Sequence, residues 1–372
     1  MRVRLRALPA AGHRRTREEE RVIGVGLIGS GFIGDTYADA LQDVRNATLV
    51  AACSRDLARA TALAAKWAPE ARAYDDMAAL CADPAVDLVV VAVPNEAHLD
   101  AVRTVAAAGK GVVCTKPLAR TGAEAAQILD VVREAGVWHG YAESSVFSPN
   151  IAKAHDMVAA GAIGDLLTMR AREAHSGPHA PHFWDAQTAG GGALLDMGCH
   201  TVESARHFFG KDNPITEVFA WGATLAHADR TTGEDTAIAL LKFAGGQLAT
   251  VESSWIEKGG MQLRHELVGS AGRLVTDTSA TPVWGFIERP AGYLVEKADA
   301  DTGWVYPVPE EARAYGFSQQ MRHFVDCFAR GEVPRETFED GVVVNHVLDA
   351  CYASMRSGTW EKVQEPKVQA QA

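Results

Sequence analysis

The stretch Val22-Ile23-Gly24-Val25-Gly26-Leu27-Ile28-Gly29-Ser30-Gly31-Phe32-Ile33-Gly34 decides how the rest of the chain is read. Its first half is a short apolar run rich in β-branched residues, the pattern of a strand buried on both faces of a parallel sheet. Its second half is a GxGxxG, and a helical pattern through Tyr37, Ala38 and Leu41 follows. Strand, glycine turn and helix in that order form the context of a dinucleotide-binding fingerprint. Gly29 would permit the tight turn and Gly31 would let a pyrophosphate approach the backbone. Gly34 would let the helix pack on the strand, with Phe32 and Ile33 beside the cofactor. The helix N-terminus would face the phosphates with free N–H groups.

Strands and helices alternate outward from this point. Leu49-Val50-Ala51-Ala52-Cys53 reads as the second strand, and its tip carries Ser54-Arg55-Asp56. A serine where an acid often binds the ribose, followed by arginine, suits a 2′-phosphate, so the cofactor leans to NADP over NAD. Arg55 could equally stack on adenine while Asp56 reaches the ribose. A strand over 87–93 ends in Pro94-Asn95, and the following helix carries His98 in its first turn. Ligands of open α/β sheets bind at the carboxyl ends of strands, so Pro94, Asn95 and His98 are expected near the cofactor. The alternative for His98 is a histidine on the helix surface. A strand over 111–114 delivers Thr115-Lys116-Pro117 to the same edge, and a last strand ends in Glu143-Ser144-Ser145.

The second candidate centre is Asp196-Met197-Gly198-Cys199-His200, which follows Gly190-Gly191-Gly192 and opens an amphipathic segment. On a helix, Asp196 and His200 would share one face of the first turn. A carboxylate beside an imidazole suits proton transfer to and from a hydroxyl. Upstream, a Pro/Gly loop over 173–185 holds His175, His179, His182 and Trp184. Its histidines do not share a helix face, so no metal site is expected. Imidazoles and an indole instead suit recognition of hydroxyls and sugar rings. The remainder is strand-rich, with hairpin turns at Gly245-Gly246 and Ser270-Ala271-Gly272, and closes on helical patterns over 317–329 and 338–355.

GxGxxG, Pro94-Asn95 with His98, Lys116-Pro117 and Asp196-x-x-x-His200 stand in one order along the chain. This set resembles the Gfo/Idh/MocA oxidoreductase family, which includes glucose-fructose oxidoreductase and inositol 2-dehydrogenase, over roughly 22–360. The resemblance implies a Rossmann NAD(P)-binding domain (α/β) over 22–145. It also implies an α+β domain over 146–360, with a large, mostly antiparallel open sheet that mediates homodimer or homotetramer formation. It implies hydride transfer between the nicotinamide and a secondary hydroxyl of a sugar, cyclitol or glycoside. Lys116, Asp196 and His200 match the family's catalytic positions. Thr115 departs from the family's glutamate, and Glu143 is the candidate to stand in for it, near cofactor and substrate. Arg172, His175, His179 and Trp184 are further substrate candidates. Arg170, Arg172 or Lys258 could favour an anionic sugar, the alternative being charges on the sheet surface. Two alternatives stay open: a glycosidase working by transient oxidation, elimination, hydration and re-reduction, and a non-catalytic NAD(P)-binding sensor.

Composition agrees with these readings. The 372 residues carry a formal net charge of −11, which disfavours nucleic acid and anionic membrane as partners. No apolar run approaches a membrane span. Six cysteines without a CxxC pair fit buried thiols in a reducing cytoplasm. The arginine-rich residues 1–21 are expected to be disordered, as is Gln364 to Ala372 within a tail over 361–372.

Overall fold

The apolar run near the head of the chain forms strand β1 (Ile23–Ile28), buried along its whole length, in the computed structural model, which describes residues 21–278, 285–289, 302–305 and 308–364. The expected disordered extension (apart from Arg21) and the tail beyond residue 364 lie outside the described residues. Arg21 itself donates a hydrogen bond to Asp87 Oδ1.

Five further strands complete an all-parallel sheet: β2 (Ala47–Cys53), β3 (Arg72–Tyr74), β4 (Leu88–Val91), β5 (Gly111–Thr115) and β6 (His139–Ala142). Their spatial order is β3-β2-β1-β4-β5-β6. Helices α1 (Phe32–Leu41), α2 (Leu57–Trp67), α3 (Met77–Ala82), α4 (His98–Ala107) and α5 (Gly122–Ala135) make the crossovers. The strand order reverses at β1, and the crevice outside the carboxyl ends of β1 and β4 is where such sheets bind ligands. β4 is shorter than the expected strand over 87–93, and at its head the Asp87 carboxylate accepts the Gly24 N–H at 2.9 Å.

Two glycines hold the turn after β1 together. Gly29 has φ +114°, and a Cβ there would lie 2.1 Å from the Ala92 carbonyl oxygen. A Cβ on Gly34 would lie 2.1 Å from the Gly29 carbonyl oxygen, so α1 can begin this close to β1 only with glycine there.

The second domain begins with α6 (Pro149–Ala159) and β7 (Leu166–Ala174). The short helix α7 (Ala186–Ala189), a π-helical turn (Leu194–Gly198) and α8 (Cys199–Phe209) lead into β8 (Ile215–Ala223), β9 (Thr236–Phe243), β10 (Leu248–Ser254), β11 (Gln262–Gly269) and β12 (Gly272–Asp277). A small hairpin, β13 (Gly285–Ile287) with β14 (Gly303–Val305), precedes α9 (Glu311–Ala314), α10 (Phe317–Arg330) and α11 (Phe338–Ser357). The final strand, β15 (Glu361–Lys362), pairs antiparallel with β8, so the domain runs past the expected boundary at 360. The large sheet has the order β12-β11-β7-β10-β9-β8-β15, and only β7 and β10 pair in parallel. This is the expected combination of a Rossmann domain with a mostly antiparallel open sheet.

One face of that sheet is the core. Met169, Ala171, Ala239, Leu241, Ala249, Val251 and Leu267 pack against Val202, Ala205 and Phe208 of α8 and against Val344, Val347 and Leu348 of α11. The small alanines let both helices approach the strands closely. α11 also packs on α5, and α10 packs on α1, so the last two helices tie the domains together across the cleft.

Candidate active site

A cleft of about 1050 Å³ runs from the tips of the parallel strands to the inner face of the large sheet. Its first half is built from the Rossmann domain. Gly29, Gly31, Phe32 and Ile33 form one wall, and Ser54, Arg55, Asp56 and Arg59 form the far end. A Cβ on Gly31 would meet nothing within 4 Å, so the backbone there faces open space. The first N–H groups of α1 have no partner within the helix and border the same space. Ser30 Oγ donates to Ser54 Oγ at 2.9 Å, and an Arg59 guanidinium nitrogen donates to the Ser30 carbonyl at 3.2 Å. The donor set fits a dinucleotide diphosphate: a glycine cradle, a helix N-terminus and two arginines. Asp56 is occupied at the α2 N-cap, where its carboxylate accepts the Ala58 N–H at 2.9 Å. Pro94 and Asn95 also line the cleft, and Asn95 Nδ2 donates to the Ala189 carbonyl at 2.8 Å, joining the two domains.

His98 does not reach this space. It is fully buried, and its two ring nitrogens each lie 3.0 Å from a carbonyl oxygen, of Leu118 and of Val93. Neither a cofactor contact nor a surface histidine describes it. It braces the turn after β5 against the end of β4. Burial pushes its pKa below the ordinary value and outweighs the carbonyls.

The second half of the cleft joins side chains from both domains. Lys116, at the tip of β5, reaches across to the π-helical turn. Its Nζ donates to the Asp196 carbonyl at 2.7 Å and to Asp196 Oδ1 at 3.0 Å. The other carboxylate oxygen of Asp196 accepts the Trp255 indole N–H at 3.1 Å. His200 Nδ1 donates to Glu143 Oε1. Glu143 is wholly buried and also accepts the Ser145 N–H at 2.9 Å and the Val146 N–H at 3.3 Å. Lys116, Asp196 and His200 all line the cleft.

Two expectations change here. Asp196 lies in a π-helical turn and pairs with Lys116 across the domains, so it does not orient the imidazole. Glu143 orients it instead. With both oxygens engaged by His200 and the backbone, Glu143 stands behind the histidine and not against cofactor or substrate. The lysine's carboxylate partner is therefore Asp196, and Thr115 is left beside His98, with Oγ1 at 3.4 Å from its Nε2.

Electrostatics favour ion pairs in both places. Burial alone would raise the Glu143 carboxyl, but His200 and the two backbone N–H groups outweigh it and hold it below the usual 4.5. Burial would lower His200, yet Glu173 and Glu143 hold it above the usual 6.5. Burial also opposes the charge of Lys116, and Asp196 overrides it, holding the ammonium above its ordinary range.

The loop after β7 closes over the cleft. His179 lies against the ring of Phe32 at 5.0 Å between centroids, so a residue of the second domain touches the glycine turn. His175 lines the cleft, with Nδ1 accepting the Gly177 N–H at 3.0 Å and Nε2 4.0 Å from Asp196 Oδ2. Trp184 does not line it. Its ring packs behind the site on Trp255, at 5.2 Å, and under the Arg230 guanidinium at 3.9 Å. Arg172 points to the outer face of the sheet, where it bonds Glu252 and Glu257 at 2.8 Å each. It offers no positive charge to the site.

The residues the motifs did not single out are Glu173, His182, Trp255 and His265. Glu173, His182 and His265 line the cleft. The pleat contains the signal for Glu173: Met169, Ala171 and Glu173 share the buried face of β7, whereas Arg170 and Arg172 share the other. Among the described residues, the one group of three potential metal ligands is Glu203, Glu336 and Asp340. It lies apart from the cleft and is bridged by Lys211 and Arg206.

Comparison with known proteins bears on this geometry. Residues 23–142 match the model of the oxidoreductase family with NAD-binding Rossmann fold, and residues 151–275 match the GFO/IDH/MocA C-terminal domain. The chain belongs to the GFO/IDH/MocA family. Members similar to it include the myo-inositol 2-dehydrogenase of Thermotoga maritima, 29% identical over 85% of this chain and 91% of that protein. The levoglucosan dehydrogenase of Pseudarthrobacter phenanthrenivorans is 26% identical over 94% and 99%. The crystal structure of GenD2 from gentamicin A biosynthesis, in complex with NAD, superposes with a TM-score of 0.86 at 31% identity, covering 96% of this chain and 100% of that one. This GFO/IDH/MocA member is accordingly an NAD(P)-dependent oxidoreductase. The dehydrogenase names of its relatives do not favour the glycosidase alternative.

Proposed function

We propose that the enzyme interconverts a secondary alcohol and a ketone on a sugar or cyclitol. What supports this is the meeting of Lys116, Asp196 and His200 at the end of a cleft whose other half suits a dinucleotide. When bound, the nicotinamide supplies the hydride acceptor or donor. The residues of the chain handle the proton. Glu143 holds Nδ1 of His200, which leaves Nε2 to take the hydroxyl proton during oxidation. Lys116 uses two donor directions on Asp196 and keeps a third N–H for the substrate oxygen, where it stabilises developing negative charge. Asp196 positions the ammonium and is itself fixed by Trp255. The relatives named for inositol and levoglucosan agree with a polyhydroxylated ring as substrate.

NADP is favoured over NAD because Arg55 and Arg59 border the far end of the cleft while Asp56 is turned to its helix cap. Assembly into a homodimer or homotetramer is favoured by the outer sheet face, which exposes Trp221, Ile238, Val268 and Val275. No helix among the described residues is long and apolar enough to cross a membrane, and all six cysteines are free and buried, which suits a cytoplasmic enzyme.

The test is incubation with NAD+ or NADP+ and a panel of sugars, cyclitols and glycosides. Stoichiometric NAD(P)H formation is expected. Cofactor binding without turnover across the panel would favour the sensor, and aglycone release with only catalytic cofactor would favour the glycosidase.

A further inference from the structure

Glu173 helps to raise the His200 pKa, but unlike Glu143 and Asp196 it has no hydrogen-bonded partner in the proton chemistry above. It ends β7 on the inner face of the sheet, is 6% exposed, and borders the cleft. Among the described residues its carboxylate has neither a hydrogen-bond nor an ion-pair partner. The two cations that feel its charge, His200 and Lys116, are already held by Glu143 and Asp196. Two cations thus face three carboxylates.

The neighbouring imidazoles do not make up the difference. Burial pushes His182 below its ordinary range and His265 down to about 4, so both are neutral at physiological pH. His175 uses Nδ1 as an acceptor, and its Nε2 faces Asp196. Burial raises the pKa of Glu173 against the pull of His200 and Lys116, so its charged form is the costly one in the empty cleft. A buried carboxylate without a partner is costly to keep. A positively charged group entering the cleft would complete the set and leave each charge paired.

We propose that Glu173 binds an amino group on the substrate, so that the preferred substrates are amino sugars or aminocyclitols. This rests on the dehydrogenase reading above and narrows its substrate class. The ammonium would sit near the reacting carbon, because Glu173 shares the end of the cleft with His200 and Lys116. Discrimination would be steep, since a neutral hydroxyl in the same place leaves a buried carboxylate uncompensated.

The experiment compares matched pairs, D-glucosamine with D-glucose and scyllo-inosamine with scyllo-inositol, by calorimetric binding to the enzyme–NAD(P)+ complex and by kcat/KM where turnover occurs. In the wild type the amino member of at least one pair should bind about 10-fold tighter or better. Glu173→Gln should erase that preference, weakening the amino member relative to its neutral partner. N-Acetyl-D-glucosamine, which lacks the charge, should behave like a neutral sugar. Equal binding of both members in both pairs by the wild type, or a preference that survives Glu173→Gln, overturns the proposal. The Tm of the free protein separates a structural role, because an unpaired carboxylate predicts an unchanged or higher Tm for Glu173→Gln. A clear fall in Tm would mean that Glu173 holds the fold, and would overturn the assignment. Binding is read without turnover, so a chain that prefers the amino ligand yet reduces no cofactor would refute the dehydrogenase reading and leave the recognition by Glu173 standing.

Discussion

The two halves of the cleft are made of different material. The dinucleotide half is mostly backbone: a glycine turn, a helix N-terminus and the tips of parallel strands, with its central motif inside six consecutive residues, Gly29 to Gly34. The chemical half is mostly side chains. Lys116 comes from β5, Glu143 from the end of β6, Glu173 from β7, Asp196 from a π-helical turn, His200 from α8 and Trp255 from the end of β10. A backbone site survives many side-chain changes and fails when the chain cannot make its turn. A side-chain site fails one residue at a time.

The sharpest way to break this contrast is His200→Ala. It should lower kcat by about 10² to 10⁴ and leave cofactor binding within a few-fold, measured by stopped-flow turnover and by fluorescence titration of NAD(P)H. Equal losses in both would show that the halves are not separable.

Glu143→Gln should cost less, about 10- to 100-fold in kcat, because the imidazole stays but loses its charged partner. Its pH profile is more telling. Oxidation needs neutral His200, so kcat/KM falls as pH drops below a value that lies above the ordinary 6.5. Removing the Glu143 charge lowers the His200 pKa and moves that limb to lower pH. The stability signs follow the same pair. The raised His200 contributes stability that is fully present below 6.5 and lost as pH rises through its folded pKa. The depressed Glu143 contributes stability present above 4.5 and lost as pH falls through its folded pKa. The Tm difference between wild type and Glu143→Gln should therefore be largest between these limits and shrink on either side.

In the backbone half, Gly34→Ala drives a Cβ to 2.1 Å from the Gly29 carbonyl oxygen. Its expected effects are a loss of about 1–3 kcal/mol in stability and weaker cofactor binding, with the pH limb of the residual activity unchanged. A shifted limb would mean that the glycine turn also sets the proton chemistry.

The smallest effect belongs to Arg172→Ala. Its guanidinium lies on the outer sheet face with Glu252 and Glu257, so kcat/KM should change less than about two-fold. A large loss for an acidic sugar would return Arg172 to the substrate site.

How far the chain could be read in advance follows the same division. The Rossmann domain was legible because its signals are local: an apolar run, three glycines, a helical period. The hairpins at Gly245-Gly246 and Ser270-Ala271-Gly272 were legible for the same reason. Lys116, Asp196 and His200 could be singled out because each sits in a short motif. The partners of these residues could not. Asp196 and His200 are four residues apart, yet each pairs outside that segment, Asp196 with a lysine 80 positions earlier and His200 with a glutamate 57 positions earlier. Arg172 and Glu173 are adjacent, and the pleat sends them to opposite faces. His98 sat at the right strand end, but the bend of the turn after β5 placed carbonyl oxygens on both sides of its ring.

Sequence alone thus determined the cofactor fold, the domain order and the short motifs whose residues meet in the cleft, because periodicity, turn glycines and short motifs act over a few residues. Tertiary structure decided which carboxylate pairs with which cation, which face of β7 lines the cleft, and that one acid there was left without a hydrogen-bonded partner. Those outcomes depend on where strands and helices distant in the chain pack against each other, and on which charges burial then forces to pair.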